Sequence, residues 1–128
     1  MTIDLIETAE AALPLGHYSQ AAAHRGTLYL SGILPVALDG DTLAVRPFDE
    51  QVDLVLAHAG AILSKAGATV ADIVKVSIYM TDISNWTSFD ARYARFVGNH
   101  RPARAVIPVP ALHHGFDVEI ELIAAVKG

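Results

Sequence analysis

A chain of 128 residues with 52% apolar and 18% charged side chains has the length of one ordinary domain, but it is greasier than soluble domains usually are, at roughly 45–50% apolar and about 25% charged. The absence of cysteine excludes disulfides, thiolate nucleophiles and cysteine-bound zinc, so any chemistry must use oxygen, nitrogen or a guanidinium. A formal charge of −5 with a pI near 5.5 argues against nucleic acid as a partner, although a local basic patch is compatible with that balance.

The apolar surplus has a natural home in a subunit interface, since small domains bury their apolar area with difficulty and obligate interfaces are apolar. A homo-oligomer is therefore expected. No apolar run approaches the ~20 residues of a membrane span. The opening "MTIDLIETAE" lacks the basic residue and continuous apolar stretch of a signal peptide. A cytoplasmic protein with no membrane partner is expected.

In chain order, "TIDLIE", "YSQAAAH" and "TLYLSGILPV" predict short strands, the latter two joined through His24-Arg25-Gly26 as a hairpin. The segment "FDEQVDLVLAHAGAILSKAG" repeats apolar residues at Val52, Val55, Leu56, Ala59, Ile62 and Leu63. Asp49 and Glu50 stand at its front, Lys65 near its end and Gly67 as its stop, which predicts an amphipathic helix with charges matched to its dipole. "DIVKVSIYM" alternates Val74, Val76, Ile78 and Met80 against Lys75, Ser77 and Tyr79, a strand covered on one face. "NWTSFDARYARFVG" predicts a second helix with Trp86, Phe89, Tyr93, Phe96 and Val97 as its buried stripe and Gly98 as its end. Two strands close the chain. In the last, Phe116, Val118, Ile120, Leu122 and Ala124 face one way while Asp117, Glu119 and Glu121 share the other. This order predicts an α+β domain over residues 1–128, a sheet with two helices on one face. The other face must meet water or another subunit.

The charges inside the closing strands need an explanation. Arg104 heads the first of them, and a guanidinium there can grip a carboxylate ligand with two parallel hydrogen bonds. Spacing alone leaves an ion pair with Glu119 or Glu121 equally open. His113 and His114 are adjacent, so they point apart on an extended chain, and no HxxxH spacing occurs. They read as a polar turn before the last strand, with neither a metal nor a cofactor expected.

The pieces "LGHYSQA", "LYLSGILP", "AILSKAGATVADIVKVSIYMTDISNW", "YARFV", "RPARAVIPVPAL" and "VEIELIAA" together resemble, in order and spacing, the RidA (YjgF-like) family of reactive intermediate deaminases. The resemblance covers nearly the whole chain. It implies a chorismate-mutase-like fold with a mixed sheet of about six strands, a homotrimer built around a barrel of sheets, and pockets between subunits. It also implies hydrolysis of enamine and imine intermediates of the 2-aminoacrylate and 2-iminopropanoate type to 2-keto acids and ammonia. Arg104 stands where the family's "PAR" arginine holds the substrate carboxylate. Glu119 stands where the first glutamate of "EIE" orients water and protons, while Glu121 is left to an intersubunit ion pair. Tyr18, Ser31 and Gly32 match polar or close-approach positions of the substrate pocket. Three positions depart from the pattern. Asp90 replaces an asparagine of the pocket, His17 a proline and Val106 a cysteine. A carboxylate at 90 shifts the local field toward cations and could pair with His17. Two other readings stay open beside the deaminase, an endoribonuclease or translation inhibitor and a non-catalytic module binding small carboxylates.

Overall fold

The computed structural model describes residues 2–42 and 46–127. Six strands, β1 (Asp4–Ile6), β2 (Ala21–His24), β3 (Thr27–Ile33), β4 (Ile73–Met80), β5 (Ala103–Pro108) and β6 (Val118–Ala125), form one sheet in the order β1-β2-β3-β6-β4-β5. Helices α1 (Phe48–Lys65) and α2 (Trp86–Val97) connect the strands. All pairs are antiparallel except β4 with β5, the pair whose connection carries α2. The predicted hairpin forms between β2 and β3. Its two linking residues, Arg25 (φ 50°) and Gly26 (φ 80°), both take the left-handed conformation that lets a two-residue loop follow the strand twist.

Both helices cover one sheet face. The α1 stripe of Val52, Val55, Leu56, Ala59, Ile62 and Leu63 is buried as predicted, against Leu28, Leu30, Val76, Ile78, Ile120 and Leu122. Alternation along β6 places Val118, Ile120, Leu122 and Ala124 in this core and turns Glu119, Glu121 and Ile123 to the outer face. On that outer face the register aligns Leu5, Ala22, Tyr29, Ile123 and Lys75 in one row across five strands. Leu5 and Tyr29 are 68% and 50% exposed, so the apolar surplus of the composition stands partly on this side.

Two expectations are corrected. Val74 was placed with the core-facing residues of β4, yet it is exposed. The register between β4 and β6 shifts between Ile73 and Lys75, and this bulge lets Ile73 enter the core and turns Val74 out. Trp86 was placed in the buried stripe of α2, where Phe89, Tyr93 and Val97 are in fact buried. It is 40% exposed because it opens the helix and lies over the side chain of Arg104 on the edge strand β5.

Candidate functional site

The outer-face cluster is shaped by an irregularity in β3. Leu30 pairs with Leu122 and Ile33 with Ile120, so Ser31 and Gly32 together oppose the single residue Glu121, which is the signature of a bulge. Ser31 is pinned from both its atoms. Its N–H donates to the Gln20 carbonyl at 3.0 Å and its Oγ donates to the Ser19 carbonyl at 2.6 Å, tying β3 to the segment that carries Tyr18. Gly32 lies under the Glu119 carboxyl so closely that a Cβ there would sit 2.6 Å from Oε2. Only glycine lets this carboxyl rest against the backbone.

Tyr18, Ser31, Gly32 and Glu119 line one cavity of about 450 Å³, with His113 and His114 also on its wall. Burial raises the Glu119 pKa above the ordinary carboxyl range, the nearby His113 pulls it back, and Glu121 raises it again. A carboxyl so placed can change protonation state closer to neutrality than a free one. Glu121 is engaged differently. It accepts a short hydrogen bond from the Tyr79 hydroxyl, whose pKa rises chiefly because of that bond.

Arg104 and Asp90 form a second cluster on the other face of the sheet. Arg104 stands in register with Val76 on β4, a core-facing residue, and therefore projects toward α2. Its Nη1 donates to Asp90 Oδ1 at 2.6 Å, and its guanidinium carbon lies 5.0 Å from the Trp86 ring centroid and 5.1 Å from that of Tyr93. Residues 86, 90 and 93 share one helix face, so a single helix supplies a carboxylate and two aromatic faces to one arginine. The partner of Arg104 is thus neither Glu119 nor Glu121, which lie across the sheet. Asp90 likewise pairs with Arg104 rather than His17. The buried Tyr93 hydroxyl beside this guanidinium has no hydrogen-bond partner among the described residues, and burial raises its pKa.

Sequence reasoning missed two buried polar residues that shape the cavity. Gln20 is 4% exposed and His58 2%. The Gln20 side chain accepts from the Thr8 N–H and donates to the carbonyls of Thr8 and Ala12. His58 Nδ1 accepts from the Ala12 N–H at 3.4 Å, which leaves Nε2–H to donate to the Val36 carbonyl at 2.7 Å. Burial lowers the His58 pKa, in keeping with this neutral tautomer. The available signal was a histidine three residues after Val55 and four before Ile62, on the apolar stripe of α1 itself. The aromatic clamp of Arg104 was legible in the same way, from the spacing of Trp86, Asp90 and Tyr93.

Residues 8–126 match the profile of the family described as Endoribonuclease L-PSP. Among solved structures, the Rid-family protein YyfA of Yersinia pestis is 39% identical, with a TM-score of 0.93 over 98% of this chain and 100% of that one. TdcF of E. coli, solved with bound serine, is 29% identical, with a TM-score of 0.90 over 97% and 99%. The chloroplastic Reactive Intermediate Deaminase A of Arabidopsis thaliana is 31% identical over 121 residues, 94% of this chain and 65% of that protein. The profile match, the sheet with its two helices and these likenesses along almost the entire length establish that the chain belongs to the Endoribonuclease L-PSP family, the YjgF/RidA group.

Proposed function

We propose that this protein is a hydrolytic deaminase of 2-imino acids, converting an imine or its enamine tautomer and water to a 2-keto acid and ammonia, and that it works as a homotrimer with sites between subunits. The observation that carries the reading is the placement of Glu119. A carboxyl of raised pKa rests on Gly32 in a cavity shared with Tyr18 and Ser31. Water adds to the imine carbon as its nitrogen takes a proton, giving a carbinolamine, which collapses to the keto acid as ammonia leaves. One carboxyl that accepts a proton from water and returns it to nitrogen suffices for both steps. Because the substrate is already electrophilic, most of the remaining work is positioning.

Arg104 is the carboxylate anchor in this reading. Its one bond to Asp90 leaves further donors, and its aromatic clamp holds the fork in one orientation. Within one chain Arg104 faces the helices and Glu119 the outer side, so a small substrate touching both must lie between two chains. The apolar outer row and the resemblance to Rid proteins support that assembly. Reactive Intermediate Deaminase A by its name, and the serine-bound TdcF structure, support the chemistry and the ligand class. The charge of −5 stands against the endoribonuclease reading.

The test is to generate 2-imino acids with an amino-acid oxidase and follow their disappearance as semicarbazone. Catalysed decay is expected. Decay at the spontaneous rate, with bound keto acid detectable, would leave a carboxylate-binding module instead.

A further inference from the structure

The cavity that Glu119 lines is also bordered by His58 and Ile62 of α1. Leu13, Leu15, Ile33, Leu34, Val36 and Ile62 supply its apolar lining. At about 450 Å³ the space lies in the range of pockets that enclose drug-sized ligands, well beyond what a three-carbon imino acid fills. Gln20 and His58 also border it and would make its floor polar if their groups were free. They are spent on backbone. Both Gln20 Nε2 donors and its Oε1 bond to Thr8 and Ala12, and both His58 nitrogens bond to Ala12 and Val36. An apolar group entering here leaves no donor of these two residues stranded.

We infer that this region is a side-chain subsite, and that the substrates are 2-imino acids with branched aliphatic or aromatic side chains, such as those derived from leucine or phenylalanine, in preference to the alanine-derived imine. The inference rests on the imine-hydrolase reading for its chemistry and on the cavity for its selectivity. The occupant is the substrate's own side chain, because Glu119, beside which the imine carbon would sit, lines the same cavity. Gln20 and His58 bond the backbone of Ala12, which lines this cavity.

Transfer of three further carbons from water into such a site supports a preference of about tenfold or more. The experiment measures kcat/KM for imines generated from alanine, leucine and phenylalanine. In parallel, calorimetry compares binding of pyruvate with that of 4-methyl-2-oxopentanoate to the purified wild-type protein. Expected are a kcat/KM at least about tenfold higher for the leucine-derived imine, tighter binding of the longer keto acid, and a fall of that ratio by about tenfold in Ala12→Phe, which grows into the cavity from its half-buried wall. Hydrolysis of all imines at equal efficiency, with equal keto-acid affinities, would overturn the subsite and leave the hydrolase standing. Tighter binding of the longer keto acid without turnover of any imine would uphold the subsite and remove the hydrolase. Should Ala12→Phe not fold, the wild-type affinities alone decide.

Discussion

Around Arg104 the chain fixes a charge with side chains, an ion pair and two aromatic faces all presented by α2. Around Glu119 it fixes a charge with backbone, a bulge in β3 whose glycine makes room for the carboxyl. The first arrangement holds a guanidinium in one orientation. The second disfavours the anion by burial, so the proton becomes the variable. A residue that must hold a carboxylate needs constancy of charge, and one that must exchange protons needs the opposite, so the two regions suit the two roles proposed for them.

The largest expected effect follows from removing the exchangeable proton. Glu119→Gln should lower kcat by about 10³-fold, within the range of general acid–base catalysis, with the substrate KM little changed. Stability should move the other way. Because the folded chain binds the Glu119 proton more tightly than the unfolded chain does, stability falls as pH rises from the ordinary carboxyl range through the raised pKa, and the loss persists above it. The glutamine variant should therefore melt higher than wild type at pH 7, with the difference vanishing below about pH 4. His113→Gln removes the side chain whose coulombic influence opposes this shift, so the acid limb of its pH–rate profile should move upward. A variant melting identically to wild type at both pH values would mean that Glu119 is not held in a disfavoured ionised state.

Arg104→Lys should lower kcat/KM by about 10²-fold, since an ammonium lacks the planar fork and cannot sit between Trp86 and Tyr93 in the same way. Near-normal turnover would make Arg104 a structural residue of α2 and β5. The opposite-face geometry sharpens this into a complementation test. Chains carrying Arg104→Ala and chains carrying Glu119→Gln, refolded together at equal ratio, should regain about a quarter of wild-type activity, because random assembly in a closed ring pairs two intact surfaces at that frequency. A corresponding mixture with impaired Tyr18→Ala chains in place of the Glu119 variant should recover as well. No recovery in verified mixed oligomers would place the site within one chain.

Gly32→Ala probes the backbone device alone. The added Cβ would meet only the far end of the Glu119 side chain, which can swing away, so the melting temperature should change by no more than a few degrees. Turnover should fall by about tenfold or more as the carboxyl leaves its position. A loss of stability without loss of turnover would show the contact to be packing only.

How much of this was legible in the sequence depended on whether a local period or a long-range register decided the outcome. The stripe of α1, the hairpin at Arg25-Gly26 and the alternation of β6 are local patterns and emerged as read. Val74 failed because a bulge reverses alternation and nothing within β4 marks it. The bulge at Ser31-Gly32 was equally invisible, although Gly32 itself suggested a close approach. Arg104 and Glu119 were singled out through resemblance, while their separation onto opposite faces required the register of β4 with both its neighbours. Gln20 and His58 escaped because a buried polar group is judged by its partners, and those partners are backbone atoms of Thr8, Ala12 and Val36.

The smallest effect concerns Asp90, where the structure redirects an expectation. A carboxylate in place of the family's asparagine suggested attraction for cationic substrates, but Asp90 Oδ1 is engaged by Arg104, so its first influence falls on the anchor. The pair carries no net charge, and an incoming substrate carboxylate must share the guanidinium with a group already bonded to it. The ion pair is partly exposed, Asp90 at 44% and Arg104 at 23%, so its own strength should be modest, about 0.2–1 kcal/mol. Asp90→Asn keeps an acceptor for the arginine while removing the competing charge. It should lower KM about two- to fivefold for every 2-imino acid tested, in line with an interaction of that size, with kcat nearly constant and the side-chain preference unaltered. A KM that moves only for substrates with cationic side chains would return Asp90 to direct contact with the substrate, and an unchanged KM would show that the carboxylate binds Arg104 through donors Asp90 does not influence.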